Sequence, residues 1–385
     1  MSKYSQFRVP PTTWFGEGAV SVLGEECKRL KANKVLLLTD NSIASSGLLD
    51  QVTPFLESES IKYDIYDEVE PEPPVPNFEK SLKLVKENKY DLLIGIGGGS
   101  SIDITKLLSV MVSNPGSVED YFGVNLVQNA GIPKIAIPTT SGTGSEVTAI
   151  GILTKVKEQL KIGVVSPYLI PDVAIVDPVL TVGMPQKVTA TTGMDALAHA
   201  IEAYTSLKAS PLTDKYALEA IKLIAVNLRS AYALGSNIEA RDAMCRASFY
   251  AGIAFANASV TAVHALSFPL GGKYKIPHGM ANAILLPYVM EYNMIGCLEK
   301  FANVADLMGE QVYDLSLLDA AAKSVDAVIK LAEDIKIPLK LREIDIEEKD
   351  IKPLSEGAIT VTRILQNNPR EIGLQDIENI YKKAL

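Results

Sequence analysis

The sequence has 385 residues, of which 47% are apolar and 22% charged, with a net charge of −9. That length exceeds what one hydrophobic core usually serves, so two packed domains are expected, and the composition excludes disordered and fibrous classes. The acidic balance, with no basic block to offset it, argues against nucleic acid and anionic membranes as partners and leaves small-molecule chemistry.

Cys27, Cys245 and Cys297 lie far apart with no CxxC spacing, which suggests neither a disulfide framework nor a thiolate zinc site and points to a reducing compartment. The N-terminal stretch MSKYSQFRVPPTTWFG lacks the apolar core of a signal peptide. No unbroken apolar run reaches the roughly 18 residues of a membrane span, so the cytoplasm is the expected location.

Residues 34 to 177 alternate apolar runs with amphipathic stretches. KVLLLTD (34–40), YDLLIGIGGG (90–99), KIAIPTT (134–140) and DVAIVD (172–177) carry Val, Ile and Leu without polar alternation, as strands covered on both faces do. The helical patterns NFEKSLKLVKENK (77–89) and SIDITKLLSVMVSN (101–114) lie between them, so a parallel sheet with crossover helices is predicted. EPEPPVPN (70–77) reads as a loop, since consecutive prolines continue neither regular element. After Met184-Pro185 helical periodicity dominates to the end. The expected division is an α/β domain over 1–184 and an all-α domain over 185–385.

GIGGGSSID (95–103) follows a strand and opens a helix. Its glycines would let backbone N–H groups approach a phosphate at a helix N-terminus, or would serve close packing alone. Asp40 ends the first buried run, where a carboxylate suits the ribose hydroxyls of NAD and repels the 2′-phosphate of NADP, or else caps a turn. It precedes the glycines, unlike the acid of the usual dinucleotide fingerprint, so the domain is not an ordinary Rossmann half. A second polar turn, PTTSGTGSEVT (138–148), suits a phosphate or a nicotinamide amide, or caps the next helix.

All three histidines fall within residues 199 to 278. Asp195 and His199 are spaced i, i+4 and project from one helical face; His264 and His278 follow. One carboxylate and three imidazoles make an O/N donor set suited to Fe²⁺ or Zn²⁺, though each histidine alone could be structural. Glu202, three residues after His199, could orient that imidazole or be a solvated helix charge.

These segments, with TTWFGEGAV (12–20), VDPVLTVGMP (176–185), HALSFPLGGKYKIPHG (264–279) and NNPR (367–370), resemble the iron-containing (group III) alcohol dehydrogenases over nearly the whole chain. The resemblance implies a dehydroquinate synthase-like α/β domain joined to an all-α domain. It implies hydride transfer between NAD and a short-chain primary alcohol or aldehyde, with Asp195, His199, His264 and His278 on Fe²⁺ or Zn²⁺. It further implies that Gly97, Gly98, Gly99 and Ser100 receive the pyrophosphate and that Asp40, Asp103, Thr139, Thr140, Thr143, Lys161 and Leu180 complete the cofactor site, with NADP less suited than NAD. Phe255 is implied as a substrate wall. Where many members carry a further histidine four residues after the third ligand, this chain has Phe268, also expected beside the substrate, so proton transfer must take another route. Lys273 and Lys275 could attract an anionic substrate. A homodimer or higher homo-oligomer is expected, with Trp14 helping to bury an interface. A polyol dehydrogenase, a hydroxyacid–oxoacid transhydrogenase and a non-catalytic NAD-binding protein are the alternative readings.

Overall fold

The computed structural model describes residues 6–156, 158 and 160–385. They form two compact units, Val9–Gly183 and a second one built on Met184–Leu385. Gln6–Arg8 cluster with the second unit rather than the first, a difference from the boundary read in the sequence. The tether is a reciprocal pair: Arg8 N–H donates to Asn257 Oδ1 at 2.7 Å and Asn257 Nδ2 donates to Arg8 O at 2.9 Å.

The first unit is built on strands β1 (Thr12–Phe15), β2 (Lys34–Leu38), β3 (Lys62–Tyr66), β4 (Leu92–Gly97), β5 (Gly123–Val124), β6 (Lys134–Pro138), β7 (Ile150–Lys155), β8 (Leu160–Val165) and β9 (Val173–Val176). Its helices are α1 (Leu23–Arg29), α2 (Asn41–Ser45), α3 (Thr53–Ser58), α4 (Val75–Asn88) and α5 (Gly99–Met111). Six strands make a sheet in the order β1-β9-β6-β4-β2-β3, every pair parallel. Successive residues of β2 feed opposite faces: Val35 and Leu37 join Ile94, Ile137 and Ile175 on one side, and Leu36 and Leu38 join Phe78, Leu93 and Leu107 on the other. This two-sided burial is what the unalternating apolar runs encode. A smaller sheet, β5-β8-β7, has β7 and β8 antiparallel. It was not legible in the sequence because β7 mixes buried and half-buried positions instead of being buried throughout, the pattern of a strand covered mainly on one face.

From Met184 onward the described residues contain helices and no strand. They include α6 (Gln186–Thr205), α7 (Pro211–Ala233), α8 (Ile238–Ala258), α9 (Ala262–Tyr274) and α10 (His278–Asn293). Among the described residues no single helix is long and apolar enough to cross a membrane. Helix α6 is buried on nearly every side from Gly193 to Thr205, which its alanine-rich sequence allows. Two glycines set its neighbours. A Cβ at Gly193 would come 2.4 Å from Leu228 Cδ1 of α7, and one at Gly279 would come 2.6 Å from the Thr191 carbonyl oxygen. The second contact presses the start of α10 against the α6 backbone one turn before Asp195.

Candidate metal and cofactor sites

Within the helical unit, Asp195 and His199 lie one turn apart on α6, His264 sits in the first turn of α9, and His278 begins α10. One donor atom from each of Asp195, His199 and His264 falls within 4.8 Å of the others, and all three residues are buried. His264 Nε2 is 3.8 Å and His278 Nε2 4.0 Å from Asp195 Oδ1. The side chain of His278 is 29% exposed, so the cluster opens on that side. Burial pushes the Asp195 carboxyl up, but His199, His278 and His264, with the Asn282 amide, outweigh it and leave its pKa lowered. A carboxylate and imidazoles converging in this way fit a divalent cation of borderline softness.

Glu202 supports His264, not His199 as its spacing on α6 suggested. Its Oε2 pairs with His264 Nδ1, so the proton sits on Nδ1 and the lone pair of Nε2 faces Asp195. Its Oε1 accepts from Thr261 N–H at 3.0 Å, Thr261 Oγ1 at 2.8 Å and Val263 N–H at 2.8 Å. These are donors at the start of α9, which lack partners inside the helix. The reason for the correction is that the N-terminus of α9 points at Glu202, and an anionic acceptor there satisfies the helix and the imidazole together.

Phe255 stacks on the His199 ring, centroids 4.2 Å apart and planes at 14°. Phe268 lies 6.1 Å from the His278 ring. Both expected aromatics therefore flank the histidines. Lys273 follows His264 by nine residues on α9, roughly 13 Å along the helix axis, and Lys275 ends that helix in a left-handed conformation. Both lysines are exposed.

In the α/β unit, Gly97 has φ +147° and precedes α5, whose N-cap is Gly98. A Cβ at Gly97 would lie 2.7 Å from Ser101 Oγ and 3.6 Å from Asp40 Oδ2; Cβ atoms at Gly98 and Gly99 would meet Thr140 at 3.6 Å and Thr143 at 3.0 Å. The glycine turn, Asp40 and the threonine turn are thus neighbours. Thr139 N–H donates to Gly97 O at 3.0 Å, and the Thr139 hydroxyl is buried. Ser100 Oγ accepts from Glu72 N–H at 3.1 Å, which leaves its own proton to donate. Asp40 caps α2, its Oδ1 accepting from Ser42 N–H at 2.9 Å and Ile43 N–H at 3.1 Å, while its Oδ2 lies beside the glycine turn. A cavity of about 530 Å³ beside it is lined by Asp40, Ser42, Asp67, Glu68, Glu70 and Lys80 among others.

Three expected cofactor residues have other engagements. Asp103 pairs with Ser145 Oγ, accepts from Ile152 N–H at 3.0 Å and lies 3.1 Å from Lys106 Nζ, so it ties α5 to β7 and to the threonine turn. Leu180 is 4% exposed in the core beneath the sheet. Lys161 Nζ is held by Glu72 Oε1 at 2.7 Å. The sequence reading passed over Lys106, fully buried, with Nζ donating to Ser145 O, Ser145 Oγ and Thr148 Oγ1. Its spacing of three from Asp103 was the available signal.

The comparisons with known proteins agree with this architecture. Residues 10–178 match the model of the iron-containing alcohol dehydrogenases, and residues 189–385 match that of the C-terminal region of the Fe-containing alcohol dehydrogenase family. The chain belongs to the iron-containing alcohol dehydrogenase family. It is accordingly an oxidoreductase acting on alcohols and aldehydes. A long-chain-alcohol dehydrogenase of Geobacillus thermodenitrificans is 44% identical over 97% of this chain and 95% of its own length. An NAD-dependent methanol dehydrogenase of Bacillus methanolicus is 39% identical over 99% of this chain and 100% of its own. The crystal structure of a 1,3-propanediol oxidoreductase superimposes with a TM-score of 0.97 at 42% identity, covering both chains completely. These names span methanol to long-chain alcohols, so membership of the family does not by itself set the substrate.

Proposed function

We propose that this dehydrogenase uses NAD and one divalent cation, Fe²⁺ or Zn²⁺, to interconvert a short-chain primary alcohol and its aldehyde in the cytoplasm, as a homodimer or higher homo-oligomer. The observation that carries the reading is the convergence of Asp195, His199 and His264 within 4.8 Å, with His278 beside them. The α/β unit, residues 9–183, is assigned the dinucleotide, and the helical unit the metal. Gly97, Gly98, Gly99 and Ser100 would receive the pyrophosphate, with Thr139, Thr140 and Thr143 around it and Asp40 at the adenosine ribose.

When bound, the cation supplies Lewis acidity, favouring loss of the alcohol proton in one direction and polarising the aldehyde carbonyl in the other. The chain's part is positioning. Glu202 fixes the tautomer and orientation of His264, and Phe255 holds the His199 ring flat against its own. Phe255 and Phe268 make the surroundings of the histidines apolar, which suits a small alkyl chain and excludes water. Phe268 cannot carry a proton, so transfer must use water or a cofactor hydroxyl, and the pH profile should lack a step from a histidine at that position. The acidic lining of the cavity at Asp40 favours NAD over NADP, because a 2′-phosphate would face several carboxylates. The cytoplasmic assignment rests on the reducing character implied by three dispersed free cysteines. The oligomer assignment rests on Trp14, 42% exposed on the edge strand β1.

The test is NADH oxidation by chelator-stripped protein with a panel of short aldehydes, anaerobically, before and after Fe²⁺ is added. Activity that appears only with the ion is expected. Activity indifferent to the ion would sink the metal reading.

A further inference from the structure

The NNPR segment (367–370) lies outside both the donor set and the glycine turn, yet its first residue, Asn367, is 2% exposed inside the helical unit. Asn367 Nδ2 donates to Arg363 O and to Ser259 Oγ, each at 3.0 Å. A backbone carbonyl only accepts, so the contact with Arg363 O settles which end of the amide is nitrogen. Ser259 Oγ donates in turn to Val260 O at 3.1 Å, which leaves its lone pairs for Asn367. The Asn367 backbone carbonyl accepts from Leu207 N–H at 2.9 Å, and Ser206 Oγ donates to Ala258 O at 2.6 Å. The end of α6, the end of α8 and the approach to α9 are thus fastened at one buried place.

Ser259 is the strained member of that junction. Its backbone has φ +68° and ψ 161°, a region that belongs essentially to glycine and that another residue keeps only where its surroundings hold it. The position matters because of what flanks it. On one side Phe255, in the last turn of α8, stacks on the His199 ring; on the other, Thr261, Val263 and His264 bring their donors to Glu202. Relaxation of Ser259 to negative φ would redirect the chain just before α9 and carry His264 away from Glu202 and Asp195. We infer that Asn367 is a positioning residue for the metal site: by holding Ser259 in this conformation it sets where the first turn of α9 delivers His264. The inference rests on the proposed metal site and adds two residues that set its geometry from outside it.

The test compares two substitutions at one position, in the full chain stripped by chelator and titrated with Zn²⁺ against a chromophoric competitor. Ser259→Ala removes the hydroxyl and keeps the strain, so the junction relaxes and Zn²⁺ affinity should fall roughly tenfold. Ser259→Gly removes the hydroxyl and the strain together, and should bind Zn²⁺ within about threefold of the unaltered protein. Asn367→Ala should repeat the loss, and adding Ser259→Gly to it should restore the affinity. A role in packing alone predicts the opposite order at position 259, since glycine leaves the larger void and the more flexible chain. Alanine binding as tightly as glycine there overturns the inference. So does an Asn367→Ala protein whose affinity is unchanged, or is lost and not restored by Ser259→Gly. The pair at position 259 decides the matter alone where Asn367→Ala does not fold. Failure of the unaltered protein to bind one equivalent of Zn²⁺ would instead remove the metal site, and the inference with it.

Discussion

Glu202 shows how much one side chain decides at this site. Five donors face it, four at the start of α9 and the fifth the His264 ring nitrogen Nδ1, so replacing either oxygen by an NH₂ group sets donor against donor. Glu202→Gln should cost about 1–3 kcal/mol of stability and weaken Zn²⁺ binding roughly 10- to 100-fold, measured by denaturant unfolding and chelator competition. Unchanged metal affinity would mean that the His264 tautomer does not depend on Glu202. A serine at position 40 could still cap α2 but removes the charge, so Asp40→Ser should raise kcat/KM with NADPH relative to NADH by roughly tenfold or more; an unchanged ratio would take Asp40 out of cofactor choice. Glu146 gives a pH signature. Burial pushes its carboxyl up to about 7, against smaller lowering effects of its own backbone N–H and Lys106. The native state therefore binds a proton that the unfolded chain has released, and the stability contributed by the protonated form is lost as pH rises from about 4.5 through about 7. Relative to Glu146→Gln, the unaltered protein should lose stability across that window in urea titrations; a flat difference would contradict the assignment.

At the scale of elements, much of the site was legible in the sequence. The i, i+4 spacing of Asp195 and His199 already placed two candidate donors on one helical face, and the concentration of histidine between 199 and 278 offered the other candidates. What spacing could not give was the three-dimensional meeting of α6, α9 and α10, which depends on close backbone approach. Gly279 is the clearest case. It looks like an ordinary glycine beside His278, yet a Cβ there would run into the Thr191 carbonyl. Gly279→Ala should push α10 away from α6, carry His278 from Asp195 and lower Zn²⁺ affinity at least roughly tenfold, with unaltered affinity as the contrary result. The reversal of Glu202 has the same origin: its spacing pointed to His199 on its own helix, while its real partners arrive from α9. The antiparallel β7–β8 pair was illegible for another reason, since strands covered on one face lack the long apolar runs that mark β2, β4, β6 and β9. Asp103 was implied as a cofactor residue by the resemblance, but it lies inside α5 and its carboxylate is engaged by Lys106, Ser145 and β7.

For the molecule as a whole, the proposed metal site would link metal binding to folding. The donors come from three helices that meet only in the folded helical unit, so Zn²⁺ should bind the native chain and not the unfolded one. At 100 times its dissociation constant the ion should add about 2.7 kcal/mol to stability, read as a rise in thermal midpoint that chelator reverses. The division of labour between an α/β unit with a glycine turn and a helical unit with a four-residue donor set is the central claim. Its most direct test is an anomalous-difference map at the zinc edge from crystals of the Zn²⁺-loaded protein. One strong peak is predicted, about 2.0–2.2 Å from donor atoms of Asp195, His199, His264 and His278. A loaded protein whose zinc lies elsewhere, with these four residues still pairing only with protein groups, would contradict the account.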